Sequence, residues 1–426
     1  MKSHSNPQRA QAFVCFALLA AASTPIVEVG PAAALWTAPC ILLASMLIAW
    51  AAESAQYFIA QGFALAILAW MQTLPEFAVE GVLAWHQMLP SLLANLTGAL
   101  RLLTGIGWPM IYVTAAYFHR RRTGTPLRRI RLERDHSVQV VGLLAPQIYI
   151  GYVWWKGSLN PVDGIVLIAV YAAYLAILQR MPPEAAETIE DLETVPRTIV
   201  QSSRPVRIGL IGCLFLAGGL LIYFAAEPFL GSLFAIAAAV GLPSFLFIQW
   251  VAPFVSEFPE MASTFYFART IDRAPMALMN MVSSNINQWT LLTAMLPILF
   301  SISRGGFSTI PFDSQQKLEL LMTLGQSLVG MFFLLNMELA WWEALVLFVL
   351  FIVQFALSAV PPGPGLLGIL AANIHWVTTL AYYLWAAVEL IRTIAGWRKP
   401  QAFVDFAGMW REHISRQPSR PSAGSD

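Results

Sequence analysis

Long apolar runs recur along this chain, and they limit the possible folds more sharply than any other feature. A helix that crosses a bilayer needs about 20 consecutive, mostly apolar residues. Such runs fall near residues 11–29, 33–51, 54–86, 89–118, 138–155, 162–179, 207–226, 229–268, 275–302, 316–337, 341–360 and 371–394, which predicts about 12 spans. The composition agrees: 58% of residues are hydrophobic and 12% charged, against about 25% charged in an ordinary soluble domain. Surface area does not shrink fast enough with size for a soluble chain of 426 residues to hide so much apolar material. The expected fold class is therefore an all-α integral membrane protein, with the lipid bilayer as solvent and partner. A formal net charge of +1 provides no basic field for nucleic acid. Cys15, Cys40 and Cys213 lie within apolar runs, and their spacing suits neither a disulfide framework nor a metal site.

Loop charges give an orientation, because Lys and Arg collect on the cytoplasmic side. With the N-terminus inside, the loop at 119–137 is also inside and carries Arg120, Arg121, Arg122, Arg128, Arg129, Arg131 and Arg134. Arg180, Arg197, Arg204, Arg269, Arg273 and the tail from Arg392 to Arg411 fall on the same side, whereas the outer loops hold little beyond Lys156 and Arg304. Both termini are thus expected in the cytoplasm, in a multi-pass protein of an inner or plasma membrane. Residues 1–32 read as an extra N-terminal helix, with a signal peptide as the alternative, since Lys2 and Arg9 precede an apolar run followed by small residues. Residues 33–180 and 207–360 form two five-helix groups, joined by an acidic cytoplasmic linker at 181–206 that contains Glu184, Glu187, Glu190, Asp191 and Glu193. A C-terminal extra helix at 361–398 and a cytoplasmic tail at 399–426, partly disordered from Gln417 onward, complete the plan. No nucleotide-binding loop is visible, which argues against ATP as an energy source.

The two runs too long for one straight span, 54–86 and 229–268, each contain a proline step. The first reads Gln72-Thr73-Leu74-Pro75-Glu76-Phe77-Ala78, and the second Ser256-Glu257-Phe258-Pro259-Glu260-Met261-Ala262. Proline removes a backbone donor and disrupts the helical ladder, which lipid tolerates only where protein or water covers the freed groups. The interval from the glutamate to the first asparagine of the next helix is 19 residues for Glu76 to Asn95 and 20 for Glu260 to Asn280. By the loop count the two groups enter the membrane with opposite orientation. Two inverted five-helix repeats, interrupted at matching positions, point to an alternating-access site near the midplane. Carboxylates and exposed carbonyls there suit hard cations.

Leu74-Pro75-Glu76 and Phe258-Pro259-Glu260, with Ser284-Asn285-Ile286-Asn287 downstream of the second, resemble the two α-repeats of the cation/calcium exchanger superfamily, which includes sodium/calcium and proton/calcium exchangers. The resemblance implies that Glu76 and Glu260 ligate the transported cation. It also implies hydroxyl and amide ligands at Thr73, Ser256, Asn280, Ser284 and Asn287. The first repeat departs from the pattern: Gly98-Ala99-Leu100-Arg101 stands where a Gly-Ser-Asn run is usual. In the second repeat Glu257 replaces a hydroxyl. Coupling to Na⁺ therefore does not simply carry over.

Charged side chains inside a bilayer cost at least about 2.5–3.5 kcal/mol on insertion scales, so each needs a partner or a function. Glu80 lies one turn after Glu76 on the same helix face and reads as a second ligand, a proton acceptor or an interfacial residue. Glu257 lies three residues before Glu260 and reads as ligand, proton carrier or structural pair. Carboxylates held close raise one another's proton affinity, a route to coupling proton uptake with cation release. Asn280, Ser284 and Asn287 share a helix face, with Asn95 and Thr97 as first-repeat counterparts. Arg101 reads as paired with Glu80 or Glu53 away from the pathway, or as an internal counter-charge in place of a co-ion. His375 reads as a structural histidine, and Glu338 and Glu343 as interfacial. The expected function is secondary cation antiport, with Ca²⁺ exchanged for Na⁺ or H⁺ and no cofactor. A membrane scaffold with a degenerate exchanger fold is the alternative. An intramembrane enzyme would need a constellation such as His-Glu-x-x-His, and none is present.

Overall fold

The computed structural model describes residues 30–56, 73–181, 192, 194–361 and 363–415. The expected N-terminal helix, the first part of the 54–86 run, the acidic stretch of the linker and the residues from 416 onward lie outside the described residues. What is described is an all-α membrane protein. Among the described residues, eight helices are long and apolar enough to cross a bilayer.

After a short turn at Pro31–Ala33, α1 spans Ala34–Gln56. Then follow α2 (Leu74–Trp85) and α3 (Leu89–Leu102), which runs through a π-helical turn at Leu103–Gly107 into α4 (Trp108–Thr123). The first half is completed by β1 (Arg129–Arg131), α5 (Ser137–Gly142), α6 (Leu144–Lys156), β2 (Ser158–Leu159) and α7 (Pro161–Leu178). A short α8 (Thr194–Gln201) leads to α9 (Arg204–Val240), α10 (Ser244–Ser256) and α11 (Phe258–Ala268). Next, α12 (Ala274–Asn287) passes through a second π-helical turn, Gln288–Leu292, into α13 (Thr293–Ser303). Beyond lie β3 (Ile310–Pro311), α14 (Ser314–Leu334), β4 (Glu338–Ala340), α15 (Trp341–Ser358), α16 (Leu366–Ile394) and α17 (Gln401–Trp410).

The halves pack reciprocally. Helix α2 lies on α13, and α11 lies on α4; α7 packs on α13 and its π turn, as α15 packs on α4 and its π turn. The short strands obey the same exchange, since β1 pairs antiparallel with β4 and β2 with β3. The like elements α1 and α9 pack against each other, as do α6 and α14. Small residues permit the closest approaches between helices. A Cβ at Gly98 of α3 would stand 2.0 Å from the Gln249 carbonyl oxygen of α10, and one at Gly218 of α9 would stand 2.9 Å from the Ala44 carbonyl oxygen of α1.

One boundary differs from the sequence expectation. The apolar runs predict a break near residues 227–228, between 207–226 and 229–268. The structure instead carries one 37-residue helix, α9, straight through Pro228, a length of about 55 Å. The break falls at Gly241-Leu242-Pro243, where Gly241 adopts a left-handed conformation with φ 70° and closes the helix. A left-handed terminal glycine followed closely by proline is a stronger stop than proline alone. The stretch expected as a tail also begins with structure: α17 buries Ala402 and Met409, and beyond it Arg134 pairs with Glu412 at 2.8 Å.

Candidate cation site

Pro75 and Pro259 do not kink helices; they start them. Each occupies the first turn, of α2 and α11 respectively, where the missing N–H has no intrahelical partner to lose. The glutamate that follows sits in the same first turn, at the positive end of the helix dipole. Glu257 is at once the last cap of α10 and the first cap of α11, and Thr73 holds the equivalent place before α2. The two starts bring Glu76 and Glu260 together at the centre of the bundle. Glu76 is 0% and Glu260 1% exposed. Glu257 stands between them, in side-chain contact with both.

Helix α12 supplies the neutral groups. The Gln288 side-chain nitrogen donates to Glu76 Oε2 at 2.8 Å and to Glu257 Oε1 at 2.5 Å, so one amide spans the halves. The Asn287 amide donates to Thr73 Oγ1 at 2.5 Å. Ser284 faces Glu260, whose two oxygens have no donor at normal hydrogen-bond geometry among the described residues. Glu76 Oε1, Asn287 Oδ1 and Gln288 Oε1 are likewise buried acceptors without donors among the described residues. Asn280 and Asn285, on the same helix, are also buried. Among the described residues no three acidic, histidine or cysteine side chains converge at metal-ligand spacing. A cation held here would therefore draw on the neutral oxygens as well as on carboxylates, as hard cations do.

The other nominated residues separate by role. Glu80 is buried and accepts a hydrogen bond from the Asn95 amide at 3.0 Å, within electrostatic range of Glu76. Ser256 spends its hydroxyl on the Ala252 carbonyl of its own helix, at 3.2 Å. Arg101 pairs with neither Glu80 nor Glu53. Its guanidinium meets Glu319 of α14 at 2.8 Å. Sequence reasoning missed Gln288, although it lies one turn beyond Ser284 on the face already marked as polar.

Compared with known families, residues 32–179 and 210–360 match the sodium/calcium exchanger protein family. The chain belongs to that family. The two matched blocks lie on either side of the linker expected at 181–206, and the family is one of transporters, not enzymes. Among solved structures, this family member is similar to the H⁺/Ca²⁺ exchanger CAX, with 28% identity and a TM-score of 0.82 over 97% of this chain and 99% of that one. It shares the fold of the sodium–calcium exchanger NCX_Mj, with 16% identity and a TM-score of 0.51 over 78% and 99% of the two chains. No curated protein matches the sequence.

Proposed function

We propose that this chain is a secondary antiporter that exchanges Ca²⁺ for protons at the Glu76, Glu257 and Glu260 cluster. One observation carries the reading: carboxyl groups from both halves meet in the bundle interior, clasped by the Gln288 amide. Three carboxyl groups in contact in a medium of low dielectric cannot all be charged unless a cation lies among them. Protons and a divalent cation are then alternative occupants, and exchange follows when each is released to a different side. Likeness to an H⁺/Ca²⁺ exchanger along nearly the whole chain supports protons as the co-ion. So does the apolar lining of α3, where Ala99 and Leu102 offer no amide for a separate Na⁺.

The reciprocal packing of the two groups, 33–180 and 207–360, supports inverted repeats that rock about the cluster. With the masses of arginine in the 119–137 loop facing the cytoplasm, both termini lie there, in a membrane of about 12 spans. Proteoliposome uptake of radioactive Ca²⁺ tests the proposal. A pH gradient should drive uptake, an equal Na⁺ gradient should not, and Glu76→Gln and Glu260→Gln should each lower it by at least about tenfold. Uptake driven by Na⁺ alone would remove the proton assignment, and undiminished uptake in both variants would remove the site.

A further inference from the structure

A second buried ionisable cluster lies apart from these carboxylates. Its centre is Glu319 of α14. Glu319 Oε2 receives Arg101 at 2.8 Å and the Gln249 amide at 2.9 Å. Glu319 Oε1 is 3.2 Å from His375 Nε2. The same imidazole nitrogen is 3.3 Å from Ser358 Oγ, which accepts from the Gln354 amide at 2.8 Å. Five helices (α3, α10, α14, α15 and α16) therefore meet on one carboxylate and one histidine. Arg101 is a fixed cation, held also by the Thr97 carbonyl at 3.1 Å and stacked 5.2 Å over Trp250.

The charges around the pair are few. Arg101 faces Glu319 from α3, and Tyr382, on the histidine's own helix, lies near Arg101. Asp313 and Glu319 line a cavity of about 50 Å³ together with Pro90, Gln315 and Gln316. Helices α10 and α15 contribute only neutral Gln249, Trp250, Gln354 and Ser358. Helix α6, on another side of α14, ends at Lys156, which Asp163 engages. Arg101 and Glu319 cancel, so among the described residues His375 is the group here whose charge can change. The cavity is large enough for water and joins Glu319 to Asp313 at the end of the 304–313 loop, and the His375 side chain is 22% exposed.

We propose that Glu319 and His375 form a proton-binding site distinct from the exchange carboxylates and loaded from the membrane face that carries the 304–313 loop. A hydronium ion gives a proton to the free ring nitrogen of the neutral imidazole: an N–H bond forms, an O–H bond breaks, and water is left. Glu319 then faces a cation on each side, Arg101 on α3 and the imidazolium on α16. The pH on that face thus sets how firmly α16 is tied to α14 and α3. The site does not depend on which ion the exchange carboxylates carry.

The full-length protein in detergent, with ¹⁵N-labelled histidine, provides the test. The chain has six histidines, and His375→Gln identifies the signal by removing it. The expected result is a His375 signal that passes from its neutral to its protonated form as the pH is lowered. Its midpoint falls by about one pH unit in Glu319→Gln, because an opposing charge that favours the imidazolium is gone. A His375 signal that keeps one protonation state at every pH at which the protein stays folded, or a midpoint unmoved in Glu319→Gln, overturns the site. Should Glu319→Gln leave Arg101 unpaired and fail to fold, His375→Cys in a background lacking Cys15, Cys40 and Cys213 reads access instead. A membrane-impermeant thiol reagent should label it only from the face of the 304–313 loop. Labelling from neither face, or from the other, refutes the route.

Discussion

The two halves of this exchanger-family protein share a backbone plan but divide the chemistry unequally. Both begin their central hairpin with a Pro-Glu helix start, and both pass through a π-helical turn. Aligning those turns sets Leu103 opposite Gln288, Leu102 opposite Asn287, Ala99 opposite Ser284 and Asn95 opposite Asn280. The second half thus lines the centre with two amides and a hydroxyl, where the first offers leucine and alanine. Before the helix starts the contrast repeats, with Thr73 in one half and Glu257 in the other. A scaffold can keep its symmetry through packing alone, because apolar surfaces and close helix crossings are indifferent to which polar groups fill the middle. The polar groups answer to the ion.

The largest effect that can test this division is steric. Gly98 on α3 has Ser283 as its counterpart on α12, and Ser283 bonds Tyr174 at 3.1 Å. Replacing Gly98 by valine should cost more than about 3 kcal/mol, or prevent folding, since a side chain there meets backbone. Ser283→Ala should cost about 1 kcal/mol. Thermal unfolding in detergent compares the two, and equal losses would break the contrast. Next in size is ion affinity. Glu260→Gln should weaken Ca²⁺-dependent stabilisation by about a hundredfold in the Ca²⁺ midpoint, worth about 2.7 kcal/mol. Gln288→Ala should weaken it by about tenfold, while Leu103→Ala, at the matching position, should leave that midpoint unchanged even as it lowers stability. A shift of equal size in Leu103→Ala would mean that the first half contributes more than its side chains suggest. The smallest effect belongs to Ser256→Ala. Its hydroxyl serves its own helix, so the Ca²⁺ midpoint should move less than about twofold, and a larger change would return Ser256 to the ligand set.

The fold class and the glutamate pair were legible because their signals are short in range. Apolar runs of spanning length, and a Pro-Glu step recurring before an asparagine-bearing helix, need no knowledge of distant contacts. The ends of α9 were harder to read: Glu227-Pro228 looks like a stop, yet the helix passes through it and halts only where Gly241 can take a left-handed turn. Arg101 shows a different limit. Its partner, Glu319, comes from the other half of the chain, and nothing local to Arg101 names it. Glu343 gives the same lesson. It looks interfacial beside Trp341 and Trp342, but it is 1% exposed and held by Arg398 at 2.6 Å. Gln288 was within reach, since helical spacing from Ser284 already placed it on the polar face.

The Gln288 amide has one more implication. Its nitrogen has two hydrogens, and both are spent on carboxyl oxygens that belong to opposite halves, while its own oxygen accepts nothing among the described residues. Half a turn about the last side-chain bond would withdraw the donors and present an oxygen to the same spot. Under the proposed exchange, a single swivelling group would suit both occupants of the centre, bracing acidic oxygens with protons aboard and joining the coordination shell of a metal, without any displacement of the helix that carries it.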